Sequence, residues 1–159
     1  MAIFIGTFEN KVDAKGRVSV PATFRQALAG QPYNGIAAFR SHRADAIEGC
    51  GMDFMEQMIS RIAGLDLFSP DSNDLATTIF SDSQQLSFDS TGRIQLPENF
   101  RKHAGITDKA AFVGMGQLFQ IWQPAKLEAH KAAARQRASA QGLTIPAAQS
   151  ASGSAGGGR

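Results

Sequence analysis

The run Asp13-Ala14-Lys15-Gly16-Arg17-Val18-Ser19-Val20-Pro21-Ala22-Thr23-Phe24-Arg25 returns 76 residues later as Asp89-Ser90-Thr91-Gly92-Arg93-Ile94-Gln95-Leu96-Pro97-Glu98-Asn99-Phe100-Arg101. Six positions are identical in the two copies, and those between them keep their apolar or polar character. A repeat that preserves a turn glycine, an arginine and a strand-to-helix junction means that one supersecondary unit was used twice, and one binding surface with it.

The residues of each copy dictate its local structure. Asp accepts from backbone N–H groups a few residues on, and Gly adopts the positive φ of tight turns, so a hairpin bends at Asp-x-x-Gly. Arg17-Val18-Ser19-Val20 and Arg93-Ile94-Gln95-Leu96 then alternate with period two, which predicts strands that bury Val18, Val20, Ile94 and Leu96. Pro21 and Pro97 cannot continue a central strand and suit a helix start. Phe24 with Leu28, and Phe100 with Ala104, share a helix face, and Gly30 and Gly105 fall where stop signals belong. Before the turns, strands are expected over Ile3 to Val12, with Ile3, Phe4, Ile5 and Phe8 as core candidates, and over Leu86 to Phe88. Later strands are expected at Ile36 to Arg40, Ala46 to Cys50, Ala110 to Gly114 and Leu118 to Trp122. The unit reads as strand, turn, strand, short helix, strand, strand.

Between the copies, Met55, Met58, Ile59 and Ile62 fall at i, i+3, i+4 and i+7, an amphipathic helix that Asp53 can cap. A second helix follows Pro70, with Asp71 to Asp74 in its first turn and an apolar stripe of Leu75, Ala76 and Ile79. The methionine stripe fits either core packing within the chain or an adaptable subunit interface. The predicted organisation is a first repeat over 1–52, a helical insert over 53–80, a second repeat over 81–124, a basic helix over 125–138 and a tail over 139–159. Lys126, Lys131, Arg135 and Arg137 face a lone Glu128 in that helix. The Ala, Gln, Ser and Gly tail is too poor in apolar residues to fold by itself and is expected to be disordered.

At 159 residues, neither half alone would bury much core, so the halves should share one. No apolar run approaches the roughly 20 residues of a membrane span, and the N-terminus lacks the pattern of a signal peptide; a cytoplasmic protein with no membrane partner is expected. The single Cys50 has no partner for a disulfide or a CxxC zinc site and reads as a small buried hydrophobe. His42, His103 and His130 have no metal-binding context, and Gly49-Cys50-Gly51 and Gly114-Met115-Gly116 lack the rest of any nucleotide fingerprint and read as bends between strands. No catalytic set, metal or cofactor is indicated, so the chain does not read as an enzyme. The net charge of +2 hides an asymmetry. Positive charge lies in the repeats and the C-terminal helix, while Asp45, Glu48, Asp53, Glu56, Asp66, Asp71, Asp74 and Asp82 make the middle acidic. That suits a polyanion on the repeat side.

With its two Asp-x-x-x-Arg motifs, Asp13 to Arg17 and Asp89 to Arg93, the chain resembles the MraZ family of bacterial transcriptional regulators, in the AbrB-like, swapped-hairpin barrel superfamily. The likeness runs from Ile5-Gly6 through both repeats to Val113-Gly114 and Ile121-Trp122. It implies an α+β, mainly β fold: a pseudo-two-fold, double-repeat swapped-hairpin barrel with short helices and a helical insert. It further implies a homo-oligomer closed into a ring and binding of double-stranded DNA, at repeated guanine-rich promoter boxes of the division and cell-wall gene cluster that includes the regulator's own gene. A nucleoid-associated repressor follows.

The residues agree with that role. Arg17 and Arg93 follow turn glycines, and arginine is suited to bidentate contact with guanine O6 and N7. Asp13 and Asp89 would brace the turn and the arginine, with Gly16 and Gly92 permitting the bend. Lys15 adds a cation where the second copy has Thr91. Arg25, Arg101 and Lys102 can contact phosphates, or be solvated or paired with nearby acids. The competing reading of Arg17 and Arg93 is an intrachain salt bridge to their own Asp. Competing readings of the whole are a ring-forming protein-interaction scaffold and an autoregulatory antitoxin-like repressor.

Overall fold

The structure, a computed structural model, describes residues 2–64, 66 and 68–148. The repeated unit takes the same form twice. The first copy comprises β1 (Thr7–Lys11), β2 (Arg17–Ser19), α1 (Ala22–Ala27), β3 (Gly35–Arg40) and β4 (Ile47–Cys50). Two helices intervene, α2 (Met52–Ala63) and α3 (Pro70–Ile79). The second copy follows as β5 (Gln84–Ser87), β6 (Arg93–Gln95), α4 (Glu98–Ala104), β7 (Lys109–Gly114) and β8 (Phe119–Trp122), before α5 (Pro124–Ala140). By their contacts the residues divide into Met1–Leu127, which holds both copies and the insert, and Glu128–Arg159.

The copies interleave rather than sit side by side. One antiparallel sheet has the order β1-β7-β8-β4-β3-β5, and β2 pairs with β6 in a second, two-stranded sheet. Exchanging each strand for its counterpart in the other copy reverses that order and leaves it otherwise unchanged, so a pseudo-two-fold axis passes between β4 and β8. The pairs β1 with β7, β3 with β5, β4 with β8 and β2 with β6 all join one copy to the other. The fold is the expected α+β, AbrB-like arrangement, with one correction: the hydrogen-bonded ladder does not close into a barrel, since β1 and β5 end the larger sheet. The turns after them carry the chain into the smaller sheet, which stops after three residues per strand because the Gly92 and Gly16 N–H groups that would continue the ladder donate instead to Asp89 O and Asp13 O within the turns, and Pro21 and Pro97 then lead into helices.

The shared core lies between the larger sheet, α1, α4 and the small sheet. Val18, Val20, Ile94 and Leu96 are all buried, as the alternation requires, with Phe24 and Phe100 from the helices. Phe4, Phe24 and Phe119 pack edge-on or tilted at ring separations of 5.0–5.2 Å. Of the four N-terminal core candidates only Phe4 is buried. Neighbouring residues of an extended chain point to opposite faces, so with Phe4 inward, Ile3 and Ile5 project outward. Gly6, at φ +89°, then separates the Phe4 bridge to Gly116 from β1. Phe8 is also exposed, although its ring meets the edge of Phe24.

In the insert, Phe54 and Met55 are buried and Met52 and Met58 pack beside them on Ala37, Phe39 and Cys50, while Ile59 of the same stripe is exposed. Asp53 does not cap α2. Gly51 holds that position, and the Gln31 side-chain oxygen, from the loop after α1, accepts the Met52 N–H at 2.8 Å. At α3, Pro70 occupies the first turn and Ser69 accepts the Ser72 N–H. Gly105 ends α4 in the left-handed conformation, whereas α1 is capped by Leu28, two residues short of Gly30. Gly49 and Cys50 lie within β4 rather than in a bend; Gly114 to Gly116 do span the β7–β8 turn. Leu127 anchors the first turns of α5 against Ala46, Ala111 and Trp122. The expected tail lies outside the described residues from 149 onward, and residues 143–148 form no regular element. No helix among the described residues is long and apolar enough to cross a membrane.

Candidate nucleic-acid interface

The two hairpins are built by the same hydrogen bonds. In the first, Asp13 Oδ1 accepts the backbone N–H of Lys15 at 3.0 Å and of Arg17 at 2.8 Å. In the second, Asp89 Oδ1 accepts those of Thr91 and Arg93, both at 2.9 Å. The other carboxylate oxygen in each accepts the Nε–H of the motif arginine, Arg17 at 2.6 Å and Arg93 at 2.9 Å. The backbone N–H of the arginine is the leading cause that holds each carboxyl below the usual carboxylate range, and it does so against partial desolvation. Both acids are therefore charged at neutral pH. Gly16 and Gly92 turn the chain at φ +83° and +78°, conformations that cost an L-residue about 1–2 kcal/mol.

Pairing of β2 with β6 brings these tips together. Val18 faces Ile94 at the centre of the ladder, Leu96 N–H donates to Gly16 O at 2.9 Å, and Val20 N–H donates to Gly92 O at 3.1 Å. Arg93 Nη1 consequently lies 3.8 Å from Asp13 Oδ2, the atom that already holds Arg17 Nε. One carboxylate thus sits between two guanidinium groups, one from each copy of the repeat. The salt bridge of each arginine to its own Asp is present. It uses the Nε edge, and among the described residues the terminal amino groups of Arg17 have no hydrogen-bond partner. A guanidinium held by Nε and free at its fork has little rotamer freedom left to lose on binding, and its remaining donors match the two acceptors on a guanine edge.

The other sequence-derived candidates divide. Lys15 is exposed at the first tip, whereas Thr91, also exposed, donates its hydroxyl to Asp89 at 2.9 Å, so the two tips differ by one outward cation. Lys102 is exposed and 3.2 Å from Glu98 one helical turn away, the pairing with a nearby acid. Arg25 and Arg101 are half-buried, and each donates its Nε–H at 3.1 Å to the carbonyl of the residue before its own proline, Val20 and Leu96. Neither forms an ion pair with an acid among the described residues. The sequence reading missed Gln95, whose side-chain amide donates to Lys15 O at 3.0 Å and ties the second copy to the first tip; only the strand register makes that contact visible. Among the described residues, no group of three or more His, Cys, Asp or Glu side chains is arranged to hold a metal.

A twice-used strand, turn, strand, helix, strand, strand unit, with an Asp-clamped arginine at each hairpin tip, defines a double-repeat protein of the AbrB-like class. Comparison with known proteins narrows the class. The family model for the MraZ protein, described as antitoxin-like, matches residues 3–36 and 79–144, which takes in both motifs and leaves out most of β3, all of β4 and nearly all of the insert. The transcriptional regulator MraZ of Rickettsia akari (strain Hartford) is 42% identical over 145 residues, 91% of this chain and 97% of that protein. The transcriptional regulator MraZ of Pelagibacter ubique (strain HTCC1062) is 46% identical over 136 residues, 86% of this chain and 88% of that protein. The chain belongs to the MraZ family, whose curated members matched here are named transcriptional regulators.

Proposed function

We propose that this chain is a transcriptional regulator that binds double-stranded DNA by sequence, with Arg17 and Arg93 reading guanine edges and Lys15 adding phosphate attraction at the first tip. The observation that carries the reading is the sharing of Asp13 by Arg17 and Arg93, at 2.6 and 3.8 Å, which makes one two-arginine element out of two repeats. Asp13 and Asp89 serve as braces, and Gly16 and Gly92 keep the tips narrow.

The element spans only a few base pairs, so one subunit would bind weakly and several joined subunits on spaced boxes would bind tightly through effective concentration. The proposal therefore includes a closed homo-oligomeric ring acting on repeated guanine-rich boxes, as a repressor of the division and cell-wall gene cluster that contains its own gene, in the nucleoid of the cytoplasm. A ring needs a heterologous interface that returns on itself. The groove between α2 and β5, about 450 Å³ and lined by Ala37, Met52, Met55, Ile59 and Phe80, offers apolar surface for it.

The test is fluorescence anisotropy of a labelled duplex from upstream of the gene, beside a scrambled duplex, over a salt series. Expected is binding of the native duplex that weakens with salt, as counterion release requires. Arg17→Ala/Arg93→Ala should lose at least about 2 kcal/mol, roughly thirtyfold, with the oligomer intact by light scattering. Equal affinity for both duplexes would refute sequence-specific recognition.

A further inference from the structure

The same contact occurs twice across the pseudo-two-fold axis, and each time it joins the helix of one copy to the hairpin of the other. A Cβ built on Gly92 would lie 2.7 Å from Nε, Cζ and Nη1 of Arg25. A Cβ on Gly16 would lie 2.8 Å from Nε and 3.0 Å from Cζ of Arg101. The guanidinium of each helix arginine therefore rests on the bare backbone of the opposite repeat's turn glycine, where no other residue type leaves room. Its Nε–H is fixed by Val20 O or Leu96 O, and the N–H groups of those same two residues bond Gly92 O and Gly16 O. Arginine, peptide and turn form a closed loop of contacts in each half.

The geometry fits support better than phosphate contact. A phosphate-contacting arginine extends its head to solvent, whereas these two are half-buried and spend Nε on a carbonyl that the strand ladder has released, since β2 ends at Ser19 and β6 at Gln95. A carbonyl left unpaired there would carry the cost of an unmet acceptor. The planar head also fills the concavity of a glycine turn, which a lysine ammonium cannot do.

We propose that Arg25 and Arg101 are positioning residues, crossed struts through which each repeat holds the other repeat's recognition hairpin: Arg25 sets Arg93 and Arg101 sets Arg17. This rests on the DNA-reading role argued above, and it adds that neither tip is positioned by its own repeat alone. Isolating one repeat would then leave its reading arginine unsupported.

Two measurements on the full chain test it. The first needs no DNA: hydrogen exchange read by mass spectrometry. Arg25→Ala should speed exchange in the hairpin over residues 89–93 and leave that over 13–17 unchanged, and Arg101→Ala should do the reverse. Acceleration only in the hairpin of the mutated copy, or in neither, overturns the proposal. The second is a set of double-mutant cycles in the anisotropy assay. Arg25→Ala should weaken specific binding about tenfold, the value of one guanine contact, with non-specific affinity and the slope against salt unchanged. It should add little to Arg93→Ala and its full effect to Arg17→Ala. Arg25→Lys, which keeps the charge but has neither Nε donor nor planar head, should behave like Arg25→Ala. A phosphate contact would instead reduce the salt slope by about one, weaken both duplexes alike and be largely retained by lysine, and that result also overturns the proposal. If the unmutated protein bound neither duplex, the DNA-reading role would fall while the exchange measurement still decided the struts.

Discussion

Replacing Gly16 and Gly92 by alanine, one at a time, separates two costs that the repeat makes equal in sequence and the structure makes unequal. Both positions carry a positive φ, so either substitution costs about 1 kcal/mol or somewhat more in backbone conformation. At Gly92 the atoms nearest the new methyl all belong to the guanidinium of Arg25, the far end of a flexible side chain. Arg25 can swing out, losing its bond to Val20 O, about 1 kcal/mol, so the expected loss is about 2 kcal/mol. At Gly16 the methyl also meets Leu96 O, a backbone atom, at 2.9 Å. Here the arginine cannot relieve the contact by moving alone: the β2–β6 ladder must part where Leu96 N–H donates to Gly16 O. A second lost hydrogen bond and the displacement of Leu96 from the core bring the expected loss to about 3–4 kcal/mol. Urea unfolding followed by the fluorescence of Trp122, the single tryptophan, would read both at one protein concentration, which matters for an assembling protein. Equal losses, or a larger loss at Gly92, would refute the reasoning that a backbone obstacle at Gly16 and a side-chain obstacle at Gly92 set the difference.

Phe24→Ala should cost about 3–5 kcal/mol in the same assay, because this buried ring packs against Phe4, Phe8, Phe112 and Phe119 and no small shift of the sheet fills its space. Burial pushes the Glu48 carboxyl above its ordinary range, offset in part by the Gln120 amide donating at 2.9 Å. The folded state then prefers protonated Glu48, so its ionised form costs stability at neutral pH and the cost fades as pH falls through the raised value. Glu48→Gln should accordingly leave the urea midpoint at pH 7 unchanged or higher, with any advantage over the unmutated protein shrinking toward pH 5; a clear loss at pH 7 would contradict this. Burial also pushes the Cys50 thiol up to about 12, so at pH 8 the folded protein should resist a thiol reagent that reacts promptly once urea is added.

The parts legible in the sequence were those set by near neighbours. The Asp-x-x-Gly turns, the alternation in β2 and β6, the proline starts of α1 and α4 and the start of α3 at Pro70 each follow from a side chain acting within four residues of itself. The clamp of Arg17 by Asp13 is of this kind as well, being four residues apart. Where a reading failed, a distant partner had decided the matter. Ile3 and Ile5 look as apolar as Phe4, yet the bridge of Phe4 to Gly116 decides which of them faces inward. Asp53 looks like a cap, but Gln31, 22 residues earlier, fills the role for α2 at Met52.

By itself, then, the sequence determined that one hairpin-and-helix unit occurs twice and that each copy presents an arginine braced by its own aspartate, because turn chemistry, strand alternation and helix starts act over a few residues. Tertiary structure alone decided that the copies interleave, that Arg17 and Arg93 meet at Asp13, and that Arg25 and Arg101 rest on each other's turns. Those outcomes depend on which strands pair across about 80 residues of chain, and pairing is chosen by how well two faces bury one shared core, a property that no local run of residues contains.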